Sequence, residues 1–165
     1  MSVPSPFARA VAYVQAAPSD TFDQPLDVQR AAVAACAAEH DQTLVALFED
    51  NGIAATVPFS HRPGAQALIR WLDEHGPTVV IVSRMDRLGV APSDMIAAIL
   101  RVSVSASTVH FIQVGVGDSE VSRYPLDTGT PLGRRLLSAM YETVMEEWGI
   151  MVDTLAANQR RSPRR

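Results

Sequence analysis

The side chains able to do chemistry in this sequence are few, and most of them are arginines. All 14 basic residues are Arg, and four of them, Arg160, Arg161, Arg164 and Arg165, crowd into the last six positions. That cationic end is the candidate contact for nucleic acid or for an acidic partner, although short terminal runs of charge also serve simply as solubilising ends. The chain up to Gln159 holds 10 Arg against 18 Asp plus Glu, a formal charge of −8. So acidic a body binds DNA poorly without sequence specificity, because each phosphate contact needs a cation to displace counterions. Within it, Arg62 precedes Pro63, and Asp86 precedes Arg87. On residue type alone, the first suits a carboxylate partner and the second pair suits hydrogen bonds that orient a loop. Ser19 offers a hydroxyl just after Pro18 in the turn-forming segment from Ala17 to Pro25. The single cysteine, Cys36, lies in an apolar stretch and cannot by itself make a disulfide, a zinc site or a redox pair. His61, His75 and His110 show no ligand spacing, so no metal and no other cofactor is implied.

The elements that must position these groups alternate in type. Residues 8–15 (ARAVAYVQ) read as a buried strand; Asp27 reads as the N-cap of a helix through His40, and Leu44 to Phe48 as a second strand. Asn51-Gly52 and Pro58 mark Glu49 to Ser60 as a loop. Pro63 in a first turn and Gly76 just past an end bound a helix from Pro63 to His75. Thr78 to Ser83 is the clearest buried strand, Ser93 caps a helix from Asp94 to Val102, and Thr108 to Val114 is a fourth strand. Repeated strand–helix succession in 165 residues predicts one α/β domain with a largely parallel sheet. Thr130 and Pro131 then open a helix of about thirty residues, with Leu136, Leu137, Met140, Val144, Trp148, Met151 and Leu155 recurring three or four apart. A small domain cannot cover all of such a stripe, so a second subunit is expected along it. Gly149 in its middle permits a bend or a close helix approach. The longest central stretch without a charge, Val102 to Gly117, is too short and polar to span a bilayer, and Met1 to Phe7 lacks the layout of a secretory signal, so a cytoplasmic protein is expected.

Five segments in order carry a resemblance. Tyr13-Val14-Gln15-Ala16-Ala17 resembles Y-x-R-V-S, and Gln24-Pro25-Leu26-Asp27-Val28-Gln29-Arg30 resembles Q-S-L-D/E-x-Q-R. Phe48-Glu49-Asp50-Asn51-Gly52 and His61-Arg62-Pro63-Gly64 resemble F-x-D-x-G followed by D-R-P-G; Met85-Asp86-Arg87-Leu88-Gly89 resembles L-D-R-L-x-R. Asp127-Thr128-Gly129-Thr130-Pro131-Leu132-Gly133-Arg134 is nearly D-T-x-T-P-x-G-R. Together these resemble the catalytic domain of the serine recombinases, the resolvases and invertases that cut DNA through a phosphoserine linkage. The resemblance implies a three-layer α/β domain with a mostly parallel sheet of four to five strands flanked by helices, followed by the long helix. It divides the chain into an arm (1–7), a catalytic-type domain (8–129), a dimerisation helix (130–158) and an Arg-rich tail (159–165).

The departures from that pattern bear on function. In the family a serine attacks a phosphodiester while several guanidiniums offset charge on the phosphorus oxygens. Here Ala17 stands at the position matching the nucleophile, Gln15 at that of the neighbouring arginine and Val90 at that of another arginine. Gln29, Arg62, Asp86 and Arg87 are retained. The family's E-R-x-x-I-x-E-R-T stretch of the long helix reads Glu146-Glu147-Trp148-Gly149-Ile150-Met151-Val152-Asp153-Thr154, without a cation, and no DNA-reading domain follows it in this sequence. The expectation is a catalytically inactive homodimer or regulatory module related to recombination, acting on a recombinase, another protein or a DNA-bound partner. The alternatives are an active recombinase subunit using Ser19 or a site completed by a partner, and an unrelated α/β binding domain.

Overall fold

A computed structural model describes residues 9–18, 25–106, 108–113 and 126–161. Five strands, β1 (Arg9–Ala16), β2 (Thr43–Asn51), β3 (Val79–Arg84), β4 (Thr108–Gln113) and β5 (Leu126–Asp127), form one sheet in the order β2-β1-β3-β4-β5. The first four run parallel, and the short β5 pairs antiparallel to β4 through His110–Asp127 and Phe111–Leu126. Side chains alternate between the two faces of the buried strands. Ala10, Ala12, Val14, Val79 and Ile81 meet α1 (Leu26–Glu39) through Val33, Cys36 and Ala37. Val11, Tyr13, Val80, Val82, Val109 and Phe111 meet α2 (Pro63–His75) and α3 (Pro92–Ser103) on the opposite face. Helix α4 (Pro131–Arg161) joins that second layer through Leu137 and Met140. The result is the three-layer α/β domain expected, with the long helix in place.

Element ends show where local signals gave way to longer-range bonds. Helix α1 starts at Leu26, with Pro25 at the N-cap; the Pro25 carbonyl accepts the Gln29 N–H, and Asp27 sits in the first turn rather than capping. Helix α3 likewise starts at Pro92, so Ser93 is inside the helix and Ala91 is the N-cap. Strand β2 runs on to Asn51, where Glu49, Asp50 and Asn51 pair with Val14, Gln15 and Ala16; a loop was expected there. The ladder to β1 outweighs the Asn-Gly signal until Gly52, whose positive φ of 72° ends the strand. The limits of α2 match the expectation, with Pro63 in its first turn and Gly76 at φ 75° closing it.

The segment before α4 is a clamp. Asp127 accepts from Thr108 Oγ1 at 2.5 Å and from the Gly129 N–H at 2.7 Å. Thr128 Oγ1 accepts the Val109 N–H at 2.8 Å, and Thr130 Oγ1 caps α4 by accepting the Gly133 N–H at 3.0 Å. Arg134 reaches back to the Gly129 carbonyl at 2.6 Å. Gly133 lies so close to the β5 backbone that a Cβ there would collide with the Asp127 carbonyl. These bonds fix the root of α4 to the sheet.

Candidate functional site

The carboxyl ends of β1, β2 and β3 bring together most of the polar residues singled out in the sequence. Such strand ends are where open α/β sheets place their sites, in the crevice where neighbouring strands leave in opposite directions. Here that crevice lies between β1 and β3, whose pairing stops at Tyr13–Val82. Gln29 of α1 fills the gap as a substitute strand. Its amide accepts the Gln15 N–H at 3.2 Å and donates to the Gln15 carbonyl at 2.8 Å. The Ser83 hydroxyl also donates to Gln29 Oε1, at 3.2 Å. Gln15 is fully buried, and its own side chain donates to the Ile53 carbonyl at 2.6 Å, tying down the residues after β2.

Two retained arginines turn inward. Arg62 has no exposed surface; its Nε donates to the Val57 carbonyl at 2.8 Å, Nη2 to the Ala55 carbonyl at 2.8 Å, and Nη1 to the Arg87 carbonyl at 2.5 Å and to Tyr13 Oη at 3.3 Å. Arg87, also buried, donates from Nη1 to the Gln15 carbonyl at 3.1 Å and to Gln15 Oε1 at 3.4 Å. A guanidinium used to stabilise a phosphoryl transition state must turn its planar fork toward the ligand. The fork of Arg62 instead satisfies backbone carbonyls.

Carboxylates complete the cluster. Asp86 receives a bidentate pair from Arg84 and a further bond from Arg87 Nε at 3.3 Å. Asp50 accepts from Tyr13 Oη at 2.8 Å, from the Gly64 N–H at 2.7 Å and from the Ala65 N–H at 3.0 Å, so it covers the open amides at the start of α2. Burial pushes the Tyr13 hydroxyl well above its usual range, against the opposing pull of Arg62. Tyr13 therefore stays a neutral donor between Asp50 and Arg62.

The remaining expected site residues fall elsewhere. Ala17 is half-buried just beyond β1, and its methyl group offers no nucleophile. Val90 is 56% exposed, beyond the turn at Met85–Arg87. Ser19 lies outside the described residues, as do Arg164 and Arg165. Along α4, Met140 packs against the chain's own second layer and Val144 is buried, whereas Leu136 is 39% exposed. Trp148, Met151, Leu155, Arg160 and Arg161 lie within α4, with side chains outside the described set. Asp50 and Arg84 were not singled out for a role from the sequence. The F-x-D-x-G match already contained Asp50, but no local signal marked Arg84. Among the described residues no group of His, Cys, Asp and Glu could hold a metal ion.

The resolvase N-terminal domain family matches residues 10–158. The chain belongs to the resolvase family. As a resolvase-type domain it also resembles solved serine recombinases in fold. The N-terminal catalytic domain of TP901-1 integrase superposes with a TM-score of 0.68 at 17% identity, covering 86% of this chain and 98% of that one. A resolvase family site-specific recombinase from Streptococcus pneumoniae gives a TM-score of 0.60 at 18% identity, covering 93% of this chain and 99% of that one. The C-terminal catalytic domain of ISC1926 TnpA, an IS607-like serine recombinase, gives 0.50 at 16% identity, covering 87% of this chain and 85% of that one. No curated protein matches the sequence. The resolvase-type domain thus carries the family's fold around a cluster that includes Gln15, with Ala17 just beyond it.

Proposed function

We propose that this resolvase-type domain does not cleave DNA and serves as a dimerising or regulatory module in DNA recombination. One observation carries the reading: the buried cluster around Gln15 holds Arg62 on backbone carbonyls and offers no nucleophile at Ala17. Where a single phosphate-stabilising arginine has been isolated, its contribution is about 10³ to 10⁵ in rate, and loss of a nucleophile from a catalytic unit costs on the order of 10⁶. Either loss alone leaves negligible turnover. The division into a body (8–129), a dimerisation helix (130–158) and an Arg-rich tail (159–165) is part of this reading, as is a homodimer formed through the helix. The partner is a recombinase, another protein or a DNA-bound complex, and the tail is the element that would touch nucleic acid. A role beside recombining DNA places the protein in the cytoplasm; among the described residues no helix is long and apolar enough to cross a membrane.

The test is covalent trapping. The full chain is incubated with supercoiled DNA, the reaction is stopped with denaturant, and protein–DNA adducts are separated by electrophoresis. No adduct is expected for the wild type or for Ser19→Ala. A wild-type adduct abolished by Ser19→Ala would overturn the reading and establish an active subunit.

A further inference from the structure

Helix α1 packs on β1 and β3 through Val33, Cys36 and Ala37, and where it meets β4 it leaves a cavity of about 390 Å³. Two histidines stand at this seam. His40, the C-cap of α1, and half-buried His110 of β4 meet edge to face, with ring centroids 4.8 Å apart and planes at 66°. His40 Nδ1 lies 2.8 Å from the Cys36 carbonyl oxygen, which can only accept. Nδ1 therefore carries the proton, and Nε2 is the atom left to take up a second one. The His40, Asp41 and Gln42 amides donate to carbonyls of the last turn of α1, so this end of the helix is itself hydrogen-bonded.

The charges around the two rings are unequal. On the sheet side, His110 is the register partner of Asp127 on β5, whose carboxylate also holds Thr108 Oγ1 and the Gly129 N–H, while its partner on β3, Ile81, is apolar. On the helix side, Cys36 and Glu39 line the cavity with His40. Burial and the Glu39 charge push the Cys36 thiol up, so it is uncharged where histidines titrate. Glu39 is exposed, as is Asp41 in the turn beyond, and water and salt weaken their pull on a cation. Among the described residues no arginine lines the cavity. An imidazolium at His110 is thus attracted by Asp127 and repelled by a charged His40, and both forces point away from α1.

We propose that His40 and His110 form a proton-operated latch: as neutral rings they hold the end of α1 against β4, and as two imidazoliums they release it and open the cavity. Asp127 keeps His110 on the sheet side, so the end of α1 moves and the root of α4 does not. Opening uncovers Cys36 and Ile112, and acid thereby adds an apolar patch to this face of the domain. The resting state fits this, since burial and His40 together already hold His110 below its ordinary pKa, with Asp127 opposing.

The test is hydrogen exchange of the full chain at pH 7, 6 and 5, with rates corrected for the intrinsic pH dependence of exchange, together with NMR titration of the histidine rings. In the wild type the amides of residues 40–42 should lose protection by about tenfold between pH 7 and pH 5, the factor that corresponds to one pKa unit. Those of residues 10–14 and 128–133 should keep theirs. His40→Gln should hold the loss to within about twofold and raise the His110 midpoint by about half a pH unit or more, because the neighbouring positive charge is gone. His110→Gln should also flatten the response of residues 40–42. Corrected rates in residues 40–42 that are the same at pH 7 and pH 5 in the wild type overturn the latch. A His110 midpoint unmoved by His40→Gln overturns it too, because burial alone then accounts for His110. Equal loss of protection in residues 10–14 overturns it as well, since acid then unfolds the domain as a whole.

Discussion

Arg62→Ala separates an arginine that supports the fold from one that waits for a phosphate. The side chain is fully buried and satisfies three backbone carbonyls, those of Val57, Ala55 and Arg87, at 2.5 to 2.8 Å. Hydrogen bonds to a charged donor contribute about 1.5 to 3 kcal/mol each, and a buried acceptor left unsatisfied costs about 1 to 3 kcal/mol. The half-buried carbonyls of Ala55 and Val57 can recover water if the loop opens, whereas that of buried Arg87 stays enclosed. Tyr13 also loses a partner, and its hydroxyl then faces Asp50 alone. The lost charge-assisted bonds and the one enclosed acceptor together put the loss at about 2 to 5 kcal/mol. Set against a typical domain stability of about 5 to 15 kcal/mol, that is a large fraction. Urea unfolding followed by circular dichroism gives the value, and the amides of residues 53–58 should exchange faster because their anchor is gone. Residues whose work is on a ligand cost little stability when truncated. A change below about 1 kcal/mol, with unaltered exchange in that loop, would refute the structural assignment of Arg62.

Two further outcomes follow from the geometry. Gly133→Ala should destabilise the protein by about 1 to 3 kcal/mol or more, because the new methyl group meets backbone that cannot swing aside, the Asp127 carbonyl and Thr128 Cα at 3.0 Å. Hydrogen exchange should locate the damage at residues 126–140, and protection there equal to the wild type would contradict the clamp. His110 is held below its ordinary pKa by burial and by neighbouring His40, with Asp127 opposing, so the folded state favours the neutral ring. Its contribution is complete above the unfolded value near 6.5 and is lost as pH falls below that, by at most about 1.4 kcal/mol per pH unit. Stability measured from pH 7 to pH 5 should therefore fall less steeply in His110→Gln than in the wild type, and identical slopes would exclude this contribution.

How much of this was legible in the sequence depends on the range over which each signal acts. Proline and glycine act on their own φ angles, so Pro63 and Gly76 fixed the limits of α2 in advance. Caps chosen by residue type fared worse, since Asp27 and Ser93 lie inside helices that begin at Leu26 and Pro92. Short apolar runs sufficed for the first four strands, but not for the end of β2, where pairing with Val14 to Ala16 carries Glu49 to Asn51 into the sheet, nor for the two-residue β5. The sequence pointed to Gln29, Arg62, Asp86 and Arg87 through motif order, without saying which way they face.

Their direction was decided by tertiary structure. The substitute strand made by Gln29 requires β1 and β3 to part after Tyr13, a consequence of sheet order that no neighbouring residue encodes. The same holds for Asp50, which meets the start of α2 across fourteen residues, and for Arg87, which reaches Gln15 across seventy-two. By itself the sequence determined four strands and the helices between and after them, their order, the family and the absence of serine and arginine at positions 17 and 15. Only the fold determined that Arg62 turns its hydrogen bonds on the protein's own carbonyls, because buried polar groups must find partners and those partners come from distant parts of the chain.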